Sequence, residues 1–337
     1  MHQKSAMITG ILFMVTLLTI VMSLSVGSVA IPFSVTWKAI AGQIPFLQRL
    51  TGEKVSGRYL TILFNLRLPR ILLAMLVGTG LATAGCIMQG LFRNPMASPY
   101  ITGVSSGSSL GATVALLIFP AFFSVPLLAF VFGAGTILLV YRISWKRGKV
   151  AVESLLLAGI AVGFFFSAVT SLLMYTAAES LHRVIFWIMG GLWNRGWKDL
   201  LMVVPFVGFG LPATFFFARD LNILQLGEES ASHLGVEVEK TKRILLVLAS
   251  LVTASVVSVS GIIGFVGLIV PHITRMLVGP DHRLLIPVTA FAGGIFLVWC
   301  DTLARTVIAP VELPVGVITS CFGAPFFIYL LIKAKRG

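Results

Sequence analysis

Long stretches without any acidic or basic side chain dominate this sequence and constrain its fold more than any other feature. A helix that spans a membrane needs about 20 mostly apolar residues, with a lower limit near 17. Eight intervals of that kind contain no Asp, Glu, Lys or Arg. They are 5–37, 71–92, 94–141, 154–178, 200–218, 244–274, 284–300 and 313–332.

Two of these intervals are too long for a single helix. The interval 94–141 is interrupted at Phe119-Pro120, and proline ends or kinks a helix. The interval 244–274 breaks near Ser260-Gly261, and its second helix is expected to be short and to run on past Arg275. Six single spans and two pairs predict an all-α integral membrane protein of about ten transmembrane helices.

The composition supports this class and excludes others. The chain is 57% hydrophobic and 11% charged, whereas a soluble chain is roughly a quarter charged. Its net charge of +13 would suggest nucleic acid in a soluble protein, but no basic run is interleaved with stacking aromatics. Cys86, Cys300 and Cys321 have no metal-ligand or CxxC spacing, so we expect no metal site. Residues 1–337 are expected to form a single transmembrane domain.

The distribution of basic residues predicts the orientation. Lys and Arg are more numerous on the inner side if the N-terminus is inside, so both termini are predicted to be cytoplasmic. The first outer loop is itself basic, which weakens this bias. An alternative is a signal peptide, because Lys4, an apolar run and Ser28-Val29-Ala30 resemble one. The apolar run is long for that purpose.

Small residues recur at four-residue spacing in the spans. Gly103, Gly107 and Gly111 form one such ridge and Ala74, Gly78 and Ala82 form another. These ridges predict close packing between helices. The run from Gly103 to Gly107 also matches the G-x-S-x-G nucleophile elbow around Ser105, but the strand and the acid and histidine partners of that motif are not evident.

Charged groups within the spans are few. Asp301 and Arg305 are four residues apart near one end of a span and are expected to pair. No mid-membrane carboxylate indicates a proton relay. No phosphate-binding loop of the GxxxxGK[ST] type occurs, so any ATP-driven motor must be a separate subunit.

The polar segment 219–243 contains a candidate short helix. Glu228 and Glu229 stand at its start and Gly235 stands at its end, as the helix dipole and a glycine stop favour. From its spacing alone, this segment is equally well a solvated connector or a docking knob for a partner.

Several longer motifs follow one another from about residue 60 to the end of the chain. They are Arg67-Leu68-Pro69-Arg70, the run from Met88 to Pro99, the run from Gly264 to Arg275, Asp281-His282-Arg283, the run from Glu312 to Gly316 and the run from Gly323 to Ile328. Together they resemble the FecCD-type permeases of type II ABC importers, which carry iron-siderophores, haem or cobalamin.

The resemblance implies a set of partners. It implies a second permease subunit, most simply in a homodimer, two cytoplasmic ATPase subunits that bind ATP and magnesium, an external substrate-binding protein and the inner membrane. No cofactor and no catalytic residue is expected in this chain. The segment that matches the ATPase coupling helix comprises Leu226, Gly227, Glu228, Ala231, Leu234 and Gly235.

The resemblance also implies positions for docking and transport. Arg67, Arg70 and Arg305 match outer arginines that pair with glutamates of the binding protein, and we expect them to be exposed. The fifth and tenth helices are expected to line the path. The cytoplasmic gate is expected at a loop and a turn, which comprise Asn94, Pro95, Met96, Val152 and Glu153. A carboxylate at Glu153 departs from the family pattern and disfavours an anionic substrate.

The substrate stays open at this point. His182-Arg183, after the fifth helix, suits either haem contacts or an ordinary interfacial pair, and a small oxyanion such as molybdate is an alternative cargo. The rivals from other classes are a stand-alone secondary transporter and an intramembrane enzyme that uses Ser105. A need for ATP and partners distinguishes the importer from the first, and full function of Ser105→Ala would exclude the second.

Overall fold

The structure is a computed structural model that describes residues 2–27, 29–43, 55–120, 122–146, 148–176 and 181–334. Its helices, in chain order, are α1 (His2–Ser25), α2 (Phe33–Gly42), α3 (Gly57–Leu91), α4 (Val104–Leu117), α5 (Val125–Ser144), α6 (Val152–Thr176), α7 (Leu181–Met189), α8 (Trp197–Phe216), α9 (Ala218–Leu224), α10 (Glu228–His233), α11 (Val238–Ser260), α12 (Val266–Val278), α13 (His282–Thr306) and α14 (Val315–Ala334). Strands β1 (Trp145–Lys146) and β2 (Lys149–Val150) form an antiparallel hairpin between α5 and α6.

The number of membrane spans agrees with the sequence prediction. In the described part of the chain, seven helices are long and apolar enough to cross a membrane, and the shorter apolar helices α4, α12 and α14 bring the number to ten. Both long intervals divide where expected. The first divides between Leu117 and Val125, and the second divides after Ser260. The short helix α12 does run past Arg275, to Val278.

Two boundaries differ from the prediction. The first charge-free interval extends to residue 37, but α1 ends at Ser25 and a separate short helix α2 follows. Conversely, α3 begins at Gly57, well before the charge-free interval, and includes a π-helical stretch over Thr61–Arg67. The charge-free criterion missed this start because Arg67 and Arg70 interrupt the charge-free run, whereas α3 carries both arginines on a buried face.

Helix α3 lies at the centre of the bundle, packed against α8, α11, α12 and α13. Its small residues allow this. A β-carbon placed on Gly78 would lie 2.2 Å from the carbonyl oxygen of Gly293 in α13, and one on Gly85 would lie 1.8 Å from that of Gly267 in α12. Backbones that approach so closely leave no room for a side chain, which confirms the predicted packing role of the Gly78 ridge.

The second predicted ridge joins α4 to α5. A β-carbon on Gly107 would lie 1.9 Å from the hydroxyl of Thr136, and one on Gly111 would lie 2.3 Å from the carbonyl oxygen of Leu128. A 3₁₀ turn, not a strand, precedes Gly103. The nucleophile-elbow interpretation of Ser105 is therefore wrong, because that motif requires a strand-to-helix turn.

The bundle has two ends, which α3 connects. Its Leu68–Leu91 portion has 24 residues and spans about 36 Å. Arg67 and Arg70 lie at its first end, which we call the arginine end. At its second end, a β-carbon on Gly90 would lie 3.0 Å from Leu221 of α9. Since α9 leads directly into α10, we call this the α10 end.

Candidate functional site

Helix α10 and its flanking glycines form a distinct projection of the chain. Gly227 and Gly235 have φ values of 113° and 83°, a region that glycine adopts at little cost. Glu228 and Glu229 occupy the first turn, where carboxylates interact favourably with the helix dipole. At the other end, the backbone N–H of Val236 donates to the carbonyl of Ala231 (3.0 Å) and closes the helix. The predicted short helix with a glycine stop is confirmed.

The side chains of this projection divide into two faces. Ala231 is fully buried against the bundle, whereas Leu226 is 66% exposed and Leu234 is 55% exposed. Leu226 lies two residues before the start of α10, and Leu234 directly follows its last residue. Both leucines are therefore available for contact with another protein.

A buried lysine holds α10 in place. Lys242 of α11 is 7% exposed and donates to Glu228 (2.8 Å) and to Glu239 (3.0 Å). The other carboxylate oxygen of Glu239 accepts a hydrogen bond from the backbone N–H of Val150 in β2 (3.0 Å). Together these residues form a polar strap that links α10, the start of α11 and the hairpin before α6.

A second set of contacts ties α9 to the start of α13. The side-chain amide of Asn222 donates to Asp281 (2.7 Å), and the Asn222 oxygen accepts from the backbone N–H of His282 (2.9 Å). Asp281 also caps α13 by accepting from the N–H of Arg283. Burial raises the pKa of Asp281, but the hydrogen bonds from Arg283 and Asn222 outweigh this effect and lower it below its usual value.

The predicted gate residues lie at the α10 end. Asn94 forms a side-chain turn by accepting from the N–H of Met96 (2.8 Å), and both residues and Pro95 are exposed. Val152 and Glu153 do not form a turn, contrary to the prediction. They are the first residues of α6, because the β1–β2 hairpin makes the reversal instead.

Helix α6 connects these two parts of the predicted gate. A β-carbon on Gly159 of α6 would lie 2.3 Å from the carbonyl oxygen of Ile101. The 3₁₀ turn that follows the Asn94 loop therefore packs directly on α6. Glu153 lies at the exposed start of that helix, and no ion pair with it occurs among the described residues.

The arginine end contains a buried ion network. Arg70 pairs with Asp301 (2.9 Å) and with Glu312 (2.8 Å), and Arg305 pairs with Asp301 (3.1 Å). The Arg305–Asp301 pair within α13 is the i,i+4 pair that the sequence predicts. Arg305 also donates to Ser23 of α1 (3.0 Å), so the network joins three helices.

Arg67 has a different environment from the other two arginines. Its guanidinium donates to the carbonyl oxygens of Leu24 (2.6 Å), Ser25 and Val29. It therefore satisfies carbonyl groups that the end of α1 leaves without helical partners. Ser28, part of the predicted cleavage sequence, lies outside the described residues. The neighbouring Ser23 packs into the bundle, where it bonds Thr302 (2.7 Å).

The expectation that these arginines are exposed is wrong. Arg67, Arg70 and Arg305 are 6%, 9% and 4% exposed. The physical reason is that each guanidinium finds oxygen acceptors inside the bundle: carboxylates for Arg70 and Arg305, and backbone carbonyls for Arg67. The docking role of the three arginines stays a prediction.

A cavity of about 740 Å³ opens along α14, the predicted tenth helix. It is lined by α7, by the extended segment after α11 and by α14, with Ile188, Gly264, Ser320 and Cys321 among its residues. A β-carbon on Gly316 would lie 2.3 Å from the carbonyl oxygen of Met189, so α14 packs closely on the end of α7. His182 and Arg183 lie at the exposed start of α7.

Sequence reasoning missed the strap and the contacts of Asn222. Glu239 and Lys242 are three residues apart at the start of a span, which is the spacing of a helical ion pair. This spacing would have allowed the Glu239–Lys242 ion pair to be predicted. The third partner, Glu228, precedes Lys242 by 14 residues, on the other side of the turn after α10, and no helical spacing indicates their contact.

Helices suited to ten membrane spans, with α10 projecting at one end and buried charges at the other, define a multi-pass membrane protein. Comparison with known proteins makes the class specific. The chain belongs to the FecCD transport family, whose family model matches residues 15–333. It is thus the permease subunit of an ABC importer, not an enzyme itself, and such a permease works with ATPase and binding-protein partners.

Individual relatives agree with this assignment. The chain is 44% identical to the cobalamin import system permease BtuC of Halobacterium salinarum, over 91% of this chain and 81% of that protein. It is 43% identical to the hemin transport system permease HmuU of Yersinia pestis, over 82% and 84%. A molybdate import system permease, MolB of Haemophilus influenzae, is 38% identical over 97% and 96%.

A solved structure agrees with the fold. An inward-facing transporter described as of the metal-chelate ABC type superposes with a TM-score of 0.85 and 33% identity, over 97% of this chain and 99% of that chain. The fold is therefore that of a type II ABC importer permease.

Proposed function

We propose that this chain imports a metal chelate of the cobalamin, haem or iron-siderophore class. In this proposal two copies of the chain form a homodimeric permease in the inner membrane, with both termini in the cytoplasm. Two ATPase subunits hydrolyse ATP at the α10 end, and a binding protein delivers the substrate at the arginine end. The similarity to permeases named for cobalamin and hemin supports the substrate class.

The observation that carries this proposal is the form of the α10 projection. Ala231 and Lys242 fix its base, while Leu226 and Leu234 are presented outward. A helix that is anchored to the bundle on one face and exposes leucines next to both ends can transmit movement from a partner subunit that binds these leucines. The residues in the coupling role are Leu226, Gly227, Glu228, Ala231, Leu234 and Gly235.

A movement of α10 can reach the proposed gate through the polar strap. The strap from Glu228 through Lys242 and Glu239 reaches Val150, two residues before α6 begins. Closure of the ATPases would thus pull on α10 and on the start of α6 together. The gate in this proposal comprises Asn94, Pro95, Met96, Val152 and Glu153. Transport then follows by alternating access, without covalent chemistry in this chain.

The proposed path runs between the two copies. The cavity along α14 supports this position, because it is open to the outside of this chain and is lined by the helix that is expected to line the path. Large side chains on α6 and α14 are exposed on this chain, including Phe164 (74%) and Phe322 (54%). A second copy or lipid must cover such apolar surface in the membrane.

Docking of the binding protein is proposed at Arg67, Arg70 and Arg305. Since these side chains are buried, acidic groups of the partner would have to compete with Asp301 and Glu312 for them. Glu312 is the accessible member, with 27% of its side chain exposed, against 1% for Asp301. Arg70 is therefore the arginine whose partner is most easily exchanged.

A molybdate-like oxyanion is the second candidate cargo, supported by the similarity to MolB. The exposed carboxylate of Glu153 at the proposed gate disfavours the oxyanion, because like charges repel, whereas an uncharged chelate is not repelled. The two candidates therefore make opposite predictions for the same transport assay.

The test is uptake by the complete transporter in liposomes, with its ATPase subunits inside and its binding protein outside. Labelled cobalamin, hemin, a ferric hydroxamate and molybdate are offered in turn. We expect uptake of one chelate that requires both ATP and the binding protein. Uptake of molybdate alone would establish the second candidate, and uptake without ATP would exclude an ABC importer.

A further inference from the structure

A cluster of exposed basic side chains surrounds the β1–β2 hairpin, at the α10 end but apart from α10. Arg142 at the end of α5, Lys146 and Lys149 in the hairpin, and Arg243 near the start of α11 are all exposed. Trp145 lies among them and is 39% exposed. Lys149 lines a cavity together with the carboxylates of Glu228, Glu229, Glu237 and Glu239 and is therefore set aside. We call the other four residues, Arg142, Trp145, Lys146 and Arg243, the basic corner.

Two aromatic rings fix the position of Arg243. Its Nε donates to the hydroxyl of Tyr141 (2.8 Å). Its guanidinium carbon lies 4.8 Å from the centre of the Trp145 ring and 5.9 Å from that of Tyr141. The terminal N–H groups of Arg243 have no protein partner among the residues that the structure describes. A guanidinium held in this way is preorganised to bind an oxygen ligand from outside the chain.

Acidic side chains do not neutralise this corner. The nearest carboxylate bonded to the hairpin, Glu239, is already engaged by Lys242 and by the backbone of Val150. Glu153 is exposed at the start of α6, three residues beyond Val150. Arg142, Lys146 and Arg243 are exposed and form no ion pair with any residue that the structure describes. They leave a local excess of positive charge, which selects an anionic ligand.

An apolar surface continues from the basic corner toward the middle of the membrane. On α5, Ile143 is 58% exposed, Leu139 is 43% exposed and Leu138 is 60% exposed. On α11, Ile244 beside Arg243 is 37% exposed. Basic and aromatic side chains thus lie at the end of two spanning helices, and apolar side chains lie directly beyond them along the same helices.

We propose that the basic corner binds the phosphate headgroup of an anionic phospholipid. Tyr and Trp are enriched at the level of lipid headgroups, and Arg forms strong charge-assisted hydrogen bonds with phosphate oxygens. In this site Arg243 bonds the phosphate, Arg142 and Lys146 supply further positive charge, and the acyl chains lie on Ile143 and Leu139. The site is separate from the proposed gate and from the ATPase-coupling residues.

The test uses the fluorescence of Trp145 and brominated lipids, which quench a tryptophan that they contact. The complete transporter is reconstituted in brominated phosphatidylglycerol or brominated phosphatidylcholine. The signal of Trp145 is the difference between the protein and its Trp145→Phe variant in the same lipid. In mixtures of the two lipids we expect quenching that favours phosphatidylglycerol by about fivefold per basic side chain that contacts the headgroup.

Variants of the corner decide whether charge is the cause. The double variant Arg142→Gln/Lys146→Gln keeps the aromatic stack and should lose most of the preference for phosphatidylglycerol, and Arg243→Gln should also reduce it. The control is Lys240→Gln, which removes an equal charge from the α10 end outside the corner, where Lys240 pairs with Glu237. This control should leave the preference unchanged.

The remaining outcomes are decisive as well. Inorganic phosphate should not displace the lipid more than chloride of the same ionic strength, because the acyl chains add affinity that the free ion lacks. Equal quenching by both lipids in the wild type would overturn the proposal. Absence of Trp145 quenching by either lipid in the complete transporter would also overturn it, because the corner would then be covered by protein.

Discussion

Arg70 of α3 holds Asp301 of α13 with two nitrogen atoms, since its Nε and Nη2 lie 3.1 Å and 2.9 Å from the same carboxylate oxygen. Arg305 approaches the other oxygen of Asp301 at 3.1 Å. One carboxylate, 1% exposed, therefore separates two guanidinium groups inside the bundle. Asp301 is the residue on which this arrangement depends.

We predict that Asp301→Asn destabilises the permease by about 3–5 kcal/mol, the usual cost of breaking a buried ion pair from one side. The variant leaves Arg70 and Arg305 as neighbouring cations without their common counter-ion. Thermal unfolding in detergent, followed by the monodisperse fraction, measures the effect. Glu237→Gln breaks the exposed Lys240 pair and should change stability by less than about 1 kcal/mol. Equal stability of the two variants would contradict the prediction.

Binding-protein docking offers a second prediction at the same end. Glu312→Gln releases one nitrogen of Arg70 and removes a negative charge, so we expect an acidic partner to bind about 3–10-fold more tightly at low salt. The gain should shrink as the salt concentration rises. The affinity of the purified binding protein for the reconstituted permease measures this. An unchanged or weaker affinity would argue against docking at Arg70.

Charge reversal of Arg67 and Arg70 is a less specific test of docking. Reversal should weaken docking, but Arg67→Glu also removes the groups that satisfy the end of α1. A loss of binding is therefore informative only if the thermal stability of the variant is unchanged.

For the α10 projection we predict that Leu234→Ser lowers uptake about tenfold or more while the folded permease stays intact. Leu234 is 55% exposed, so its replacement removes a contact with a partner and little internal packing. Co-purification of the ATPase subunits and the unfolding temperature separate the two effects. Ala231→Leu is the matched contrast, because that position is fully buried and a larger side chain there should destabilise the permease itself.

The strap through Lys242 gives a prediction about coupling. Lys242→Met removes the cation shared by Glu228 and Glu239, and should lower the amount of substrate imported per ATP by about two- to thirtyfold. Lys240→Met, at an exposed pair close by on α11, should leave that ratio unchanged. Parallel measurements of ATP hydrolysis and uptake give the ratio. A proportional fall in both activities would show that Lys242 supports folding or assembly instead.

The sequence alone predicted much of this fold, for a clear physical reason. Water is absent from the membrane interior, so charge-free stretches mark spanning helices directly. The same rule failed at Arg67 and Asp301, where ions inside the bundle satisfy one another or backbone carbonyls. The pairing of Asp301 with Arg305 within α13 was predictable from their spacing. The contacts of Asp301 with Arg70 and of Arg67 with the end of α1 were not, because these partners are far apart along the chain. The contact between Lys242 and Glu228 depends in the same way on how α10 folds back, which no residue spacing encodes.

The close approach of α3 to α12 provides the last prediction, which concerns helix packing. A β-carbon on Gly85 of α3 would lie 1.8 Å from the carbonyl oxygen of Gly267 in α12, and the opposing atoms are backbone, which cannot rotate away. Gly85→Ala should therefore force α3 and α12 apart and destabilise the permease by about 1–3 kcal/mol or more, as overpacking does. Gly135→Ala is the control, because a β-carbon placed on Gly135 would have no neighbouring atom within 4 Å. Since alanine favours helix more than glycine, the control should be neutral or slightly stabilising. The unfolding temperatures of the two variants in the same detergent test this prediction. Equal values would show that α12 can move away from α3 without loss of stability.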